Sequence, residues 1–412
     1  MPVFAHAAGS QQLQGHVPAV VANSPLLRDA NDQEVFHLVI GLPLRNQEAL
    51  ESLIKNLYDP KSSQYRRYLS PQLFTSMFGP TNEDYQKLID FAKTNGMSIT
   101  KTSPNQTLLD VTVTAADIRR VFHTRLHYYS RPDGTEFYAP DSEPSVDLDL
   151  PILHISGLDN YSMPHNNMKL KGPIGRKGIL ASTPIKTSPS TGTGPDGFYW
   201  GFDYRNVYAC GNTPTGTGQN IALFELDDYK ANNITQYETY TGIGSPSLTK
   251  VVVTTPFAAP GAGEGEVELD IEMAMSMAPG AAVYVYENNG IPFITYADID
   301  DLLNAIANPP GSNPLCQEIS SSWTWNGSLD TNVPPIFLQY AAQGQSYFQA
   351  AGDDGAYTAV DPVPTPEMPI NETDLMTVTG GTVLTTTGTG GVLGTYQGET
   401  TWNNAADKPA AR

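Results

Sequence analysis

Apolar residues along the chain alternate in short runs and recur at three-to-four spacing in longer ones, and the order of these two patterns divides the sequence into regions. VFHLVIGLPL, from residue 35, predicts a strand. Asn46 then opens a helix whose apolar face is Ala49, Leu50, Leu53, Ile54 and Leu57 and which stops near Tyr58-Asp59-Pro60. Ser70-Pro71 places an N-cap and an N1 proline before LFTSMF, and Thr81 to Asp84 form a capping box ahead of Tyr85, Leu88, Ile89 and Phe91. TLLDVTVT alternates as a strand, Thr114 caps the helix AADIRRVFH, and LHYYSRPDGTEFYAP forms a hairpin around Pro132-Asp133-Gly134. Over residues 33–160 the order β-α-α-β-α-β predicts an α+β domain, an antiparallel sheet with helices on one face.

The pattern then breaks. Residues 161–197 carry Lys169, Lys171, Arg176, Lys177 and Lys186 among Pro, Gly, Ser and Thr, with no acid before Asp196. Such a composition builds no packed element and predicts an exposed linker, where proteolytic nicking concentrates. Beyond it, from 198 to 412, strands and helices alternate: NIALFEL, ANNITQYETYTG, KVVVTTP, then a helix, AAVYVYEN, ADIDDLLNAIAN, QEISSSW, a helix ending in LQYAAQG, and SYFQAAGD. That succession predicts a parallel α/β sheet, with functional groups at the carboxyl ends of the strands, where Glu225, Trp323 and Asp353 fall. Taken singly, each also fits a plainer role as surface acid, packing residue or turn residue.

The unnamed helix in that list is the segment GEGEVELDIEMAMSMAPG, with Glu264, Glu266, Glu268, Asp270 and Glu272 at alternate positions. As a strand all five acids would share one face. As a helix Glu266 and Asp270 stack at i, i+4. Met273, Ala274, Met275, Met277 and Ala278 favour the helix, and Pro279-Gly280 stops it. Two neighbouring, partly buried carboxyls can share a proton, one acting as base while the other orients it.

Charge sharpens this. Residues 1–200 hold 18 Lys+Arg against 19 Asp+Glu, and residues 201–412 hold 5 against 24. So negative a second half disfavours nucleic acid and suits an acidic milieu, or serves solubility. All seven histidines lie at or before His165, so the second half by itself builds neither a Ser-His-Asp triad nor a histidine zinc site. Proton transfer there falls to carboxylates. Cys210 and Cys316 are the two cysteines, either one bridge or two buried thiols. No run approaches the ~20 apolar residues of a membrane span. In the N-terminal segment, residues 1–32, Ala5-His6-Ala7 has the small-x-small form of a cleavage site, so a secretory-signal remnant is expected there.

Together these pieces resemble a sedolisin/kumamolisin-type serine-carboxyl peptidase with its propeptide. GEVELDIE at 265–272 is similar to the family phrase that supplies a base and its orienting partner, which implies Glu266 and Asp270 in those roles. AAGDDG at 350–355 is similar to the phrase carrying the oxyanion aspartate, which implies Asp353. By position Glu225 in ALFEL and Trp323 in ISSSW resemble the residues that extend the carboxylate network in some members. In the first half, IGLPLRN, YDPKSSQYRRYLSP and FGPTNEDY resemble the family's activation domain, a ferredoxin-like propeptide. The resemblance implies a subtilisin-like parallel sheet, incomplete here, preceded by that α+β domain. It further implies calcium, protein or peptide substrates, a propeptide acting as intramolecular inhibitor and chaperone, a monomer, secretion, and removal of the propeptide within 161–197.

One part of the family pattern is missing. The nucleophile lies in a Gly-Thr-Ser phrase downstream of the oxyanion aspartate, with the calcium ligands near it. Here the last serine is Ser346, and Gly381-Thr382-Val383 and Gly388-Thr389-Gly390 are not substitutes. No nucleophile or metal ligand is assigned within the chain, and a C-terminally truncated peptidase domain is expected. The alternative is a catalytically dead protein that keeps propeptide and scaffold for binding or inhibition.

Overall fold

The computed structural model describes residues 10–166, 192–194, 198–209, 214–290, 293–325, 330–352, 369–387 and 394–401. In the N-terminal domain the strands Ser98–Thr102, Leu108–Thr114, Val35–Gly41 and His154–Ser156 lie side by side in that order, each pair antiparallel. This is the expected ferredoxin-like arrangement. Alternation along the strands divides the side chains. Leu38, Ile40, Leu109, Val111 and Ile155 join Leu88, Ala92 and Ile118 of the helices Asn82–Thr94 and Ala115–Val121 in one core. The residues between them, among them His37, Val39, Asp110 and Ser156, belong to the sheet's other face.

Local capping follows the sequence. Ser70 accepts a hydrogen bond from the Leu73 N–H (3.2 Å), Thr81 from Asp84 (3.0 Å) and Thr114 from Asp117 (3.2 Å), each fixing a helix start. Asn46 departs from expectation: it sits at φ 53° and donates its side-chain amide to the Met77 carbonyl instead of capping the helix Gln47–Tyr58. The hairpin 126–140 joins Leu26–Asp29 in a separate three-stranded sheet, and Gln11–Gln12 pairs with Ser145–Val146. The packed domain therefore takes in residues from Gln11 onward, while Ala5-His6-Ala7 lies outside the described residues.

The second domain holds six parallel strands in the order Ser247–Val252, Ala282–Glu287, Asn220–Glu225, Glu318–Ser321, Ser346–Ala350, Thr377–Thr379. The acidic segment is a helix, Glu264–Met277, and sends Val267, Ile271 and Met275 into the core. All twelve residues of the helix Tyr296–Ala307 are buried. Its apolar positions Ile299, Leu302, Leu303 and Ile306 belong to the core of the parallel sheet. Its remaining side meets the N-terminal domain, where Ala297 packs with Val39 and Leu108. Polar contacts cross the same boundary: Lys101 Nζ donates to Asp301 Oδ1 (2.8 Å), Asn105 Nδ2 to Asn304 Oδ1 (2.8 Å), and Ser156 Oγ lies 2.6 Å from Asp300 Oδ2 and 2.7 Å from Asp330 Oδ2. Gly41 permits the close approach, because a Cβ there would fall 1.7 Å from Asn332 Oδ1.

Of the linker, residues 161–166 and 192–194 are described, and His165–Asn166 pairs antiparallel with Trp323–Thr324. Cys316 is a free, buried thiol that burial pushes up to about 12, and Cys210 lies outside the described residues. No helix among the described residues is long and apolar enough to cross a membrane.

Candidate active site

Helical geometry sorts the five acids of Glu264–Met277. Glu264 and Glu268, one turn apart, turn toward the start of the helix Ala231–Thr241: Lys230 Nζ pairs with Glu264, and Asn233 Nδ2 donates to Glu268 Oε1 at 2.8 Å. Glu266 and Asp270 lie on another face, toward the carboxyl ends of the strands. Glu266 is 6% exposed. Asp270 accepts a hydrogen bond from Ser322 Oγ at 2.9 Å and forms another with Glu225.

Glu225 ends the central strand and is fully buried. Trp323, just past the neighbouring strand, donates its indole Nε1 to Glu225 Oε2 at 2.7 Å. Between the carboxyls of Glu225 and Asp270, Glu225 Oε1 and Asp270 Oδ2 have no donor. Two carboxyls can hydrogen-bond only if one keeps its proton, so a bond between these two requires one of them to be neutral. Burial foremost, then the nearby Asp270, pushes Glu225 well above the carboxylate range; burial also raises Asp270 to about 6, against the hydrogen bonds from Ser322 and Glu225. The pair is therefore built to hold a proton where an exposed carboxylate would have released it.

The start of the acidic helix is fixed separately. Asp227 accepts from the N–H groups of Gly261 and Gly263, each at 2.7 Å. Gly263 sits against the indole, where a Cβ would come within 2.6 Å of Trp323 Cη2. This docking sets which face of the first turn meets Trp323 and Glu225.

The structure thus brings together Glu225, Asp270 and Trp323, with Glu266 one turn before Asp270 on the same helix. Asp353 lies outside the described residues. Sequence reasoning did not single out Asp227 and Ser322. The Asp-Asp pair directly after a strand end was a signal for Asp227, whereas nothing local marks Ser322 among the three serines of ISSSW. The calcium implied by resemblance finds no fit. Among the described residues the converging metal-type group is His37, Asp110 and Asp301, at the domain interface. Calcium takes six to eight oxygens, not one ring nitrogen and two carboxyls.

Residues 22–161 match the family described as Pro-kumamolisin, activation domain. The chain is 24% identical to sedolisin of Pseudomonas sp. (strain 101) over 407 residues, which cover 93% of this chain and 65% of sedolisin. It is likewise 24% identical to xanthomonalisin of Xanthomonas sp. (strain T-22) over 438 residues, 96% of this chain and 49% of that protein. The solved structure of Pseudomonas sedolisin, a serine-carboxyl proteinase complexed with two molecules of pseudo-iodotyrostatin, aligns at a TM-score of 0.41 and 17% identity over 53% of this chain and 60% of that one. The chain therefore spans less than two thirds of the length of either of these relatives. Residues 22–161 are thus similar to the Pro-kumamolisin activation domain, and most of the chain is similar to sedolisin and xanthomonalisin.

Proposed function

We propose that the protein carrying this chain is the zymogen of a secreted, acid-acting serine-carboxyl peptidase, an endopeptidase or tripeptidyl peptidase. The carrying observation is the buried cluster in which Trp323 holds Glu225 and Ser322 holds Asp270, one turn from Glu266 on the same helix as Asp270. A serine hydroxyl attacks the peptide carbonyl while Glu266 takes its proton. Asp270, locked by Ser322 and the Glu225–Trp323 pair, orients Glu266. Asp353, kept neutral at low pH, donates to the developing oxyanion. No nucleophile is assigned within residues 1–412, so these residues alone are expected to be inactive. No step is routed through calcium.

The pairing of His165–Asn166 with Trp323–Thr324 supports an inhibitory role for the activation domain. An extended segment leaving that domain adds a short antiparallel strand beside Trp323, the way a peptide docks on an open strand edge. While it lies there, a substrate strand cannot.

The test uses the longest in-frame product of the gene. Peptide cleavage is expected at acid pH, unaffected by pepstatin, and reduced by at least ~10³-fold in Glu266→Ala. Absence of cleavage at every pH, with the linker intact or cut, would replace this reading by that of a non-catalytic binding or inhibitory scaffold.

A further inference from the structure

Three donor groups from three elements converge where the two domains meet. His37 comes from the strand Val35–Gly41, Asp110 from Leu108–Thr114 and Asp301 from the helix Tyr296–Ala307, with one ligand atom of each within 4.8 Å of the others. Clustered acids alone would say little. Here, however, the buried oxygens lack donors. Asp110 is 1% exposed and neither of its carboxyl oxygens has a hydrogen-bond partner. Asp301 is equally buried; Lys101 serves its Oδ1, and its Oδ2 is left without a partner. Buried carboxyl oxygens are costly without a donor, and a cation would serve all three at once.

The imidazole is also placed as a ligand. His37 Nε2 lies 3.5 Å from Asp110 Oδ1, and Nδ1 lies 3.7 Å from Asp298 Oδ1. A carboxylate behind one ring nitrogen holds the proton there and turns the other nitrogen's lone pair toward the metal position.

We propose that His37 Nε2, Asp110 and Asp301 Oδ2 bind one divalent transition ion of the zinc type, which clamps the activation domain to the peptidase domain. One nitrogen and two carboxylates with further positions open suit zinc or its first-row neighbours rather than calcium. Three acids, Asp110, Asp298 and Asp301, gather here around His37, and Lys101 serves Asp301 Oδ1. Half-buried His37 and buried Asp298 line a cavity of about 60 Å³ on the Nδ1 side of the ring. Without an ion a proton on the ring fills its place: burial works against a charged His37, but the carboxyls of Asp110 and Asp298 beside the ring raise it to about 10. Two ligands come from one domain and one from the other, so the site exists only in the docked chain. The proposal stands independently of the peptidase chemistry.

The experiment titrates metal-free full-length chain with Zn²⁺ at pH 7.5 against a chromogenic chelator. One equivalent is expected to bind, with a rise in thermal midpoint that EDTA reverses. His37→Ala and Asp301→Asn should each weaken binding at least tenfold. Asp110→Asn, which keeps the shape of the side chain, should do the same with an unchanged circular dichroism spectrum, separating a lost ligand from a lost fold. His123→Ala, an exposed imidazole outside the cluster, should leave affinity unchanged. Absence of a saturable site near one equivalent, or binding that persists in both His37→Ala and Asp301→Asn, would overturn the proposal.

Discussion

Among groups that ordinarily titrate below neutrality, burial in the activation domain acts chiefly on the imidazoles of His16 and His154, whereas in the second domain it acts on carboxyls. His16 and His154 stack with ring centroids 4.1 Å apart, and His16 Nε2 accepts from the Ile155 N–H. Burial, and for His16 also the neighbouring His154, lowers both to about 3. Across the interface burial acts on acids: it pushes Glu225 and Asp300 well up, and raises Asp270 and Asp330 to about 6. Asp159, at the end of the activation domain, follows the acids and rises to about 6. The two sets respond to acid with opposite sign. An unfolded histidine takes up a proton from about pH 6.5 downward and the folded pair only near 3, so their stabilisation is present above 6.5 and is lost as pH falls through that window. The folded carboxyls hold protons that the unfolded chain releases near 4, so their stabilisation is present below 4 and is lost as pH rises through about 6. Acidification therefore works against the activation domain through the histidine pair while firming the second domain through its carboxyls.

The largest effect should appear in the histidine pair. Between pH 7 and pH 4.5 the histidine pair should cost the activation domain on the order of 4 kcal/mol, from two groups at about 1.4 kcal/mol per pH unit, offset in part by Asp159 and His37, whose raised values act with the opposite sign. Hydrogen exchange by mass spectrometry would show it as lost protection in peptides from residues 10–160, and His16→Gln combined with His154→Phe should remove most of the pH dependence. Peptides of the parallel sheet opening first in acid would break the comparison. Next in size is the carboxyl pair. Raising pH from 4 to 7 should cost the peptidase domain about 3 kcal/mol through Asp270. All four tryptophans lie within residues 198–412, so urea unfolding followed by tryptophan emission reports that domain. Glu225→Gln supplies a permanent N–H to Asp270 and should flatten this dependence.

Much of this was legible in the sequence, because the signals were local. Helix formers after Glu272 and the Pro279-Gly280 stop decided between two periods for the acidic run, and Ser70, Thr81 and Thr114 marked helix starts that the structure shows as hydrogen-bonded caps. The residues that escaped act through tertiary contacts. ADIDDLLNAIAN read as a helix, yet nothing in its pattern shows that Asp300, Asp301 and Asn304 are covered, since their cover is a sheet face some 150 to 200 residues earlier in the chain. Thr377–Thr379 is three residues long and carries no strand signal of its own; it is a strand because Ser346–Ala350 offers it an edge. Residues 11–29, likewise, gain their structure from strands more than a hundred residues away.

Smaller changes test how the carboxyl pair is held. Gly263→Ala puts a methyl group against Trp323 and the Asp227 carboxylate, so either the helix start or the indole must shift. A cost of about 2 kcal/mol is expected, as for other overpacked sites, visible as a lower urea midpoint with a changed tryptophan spectrum. Unchanged emission would show that the indole does not set the helix.

Ser322→Ala should be milder still and is the more informative. Its hydroxyl donates to Asp270 Oδ1 and favours the charged carboxylate, against burial, which favours the neutral acid. Removing that donor takes away about 1 kcal/mol of stabilisation from the ionised form. Asp270 should then titrate above about 6 by something under one pH unit, since 1.4 kcal/mol corresponds to a full unit. Carbon-detected NMR of the side-chain carboxyls follows this titration directly. The sign separates two accounts of the pair: an upward shift means that Ser322 holds Asp270 ready to ionise, while no shift would mean that the proton shared with Glu225 alone sets its charge.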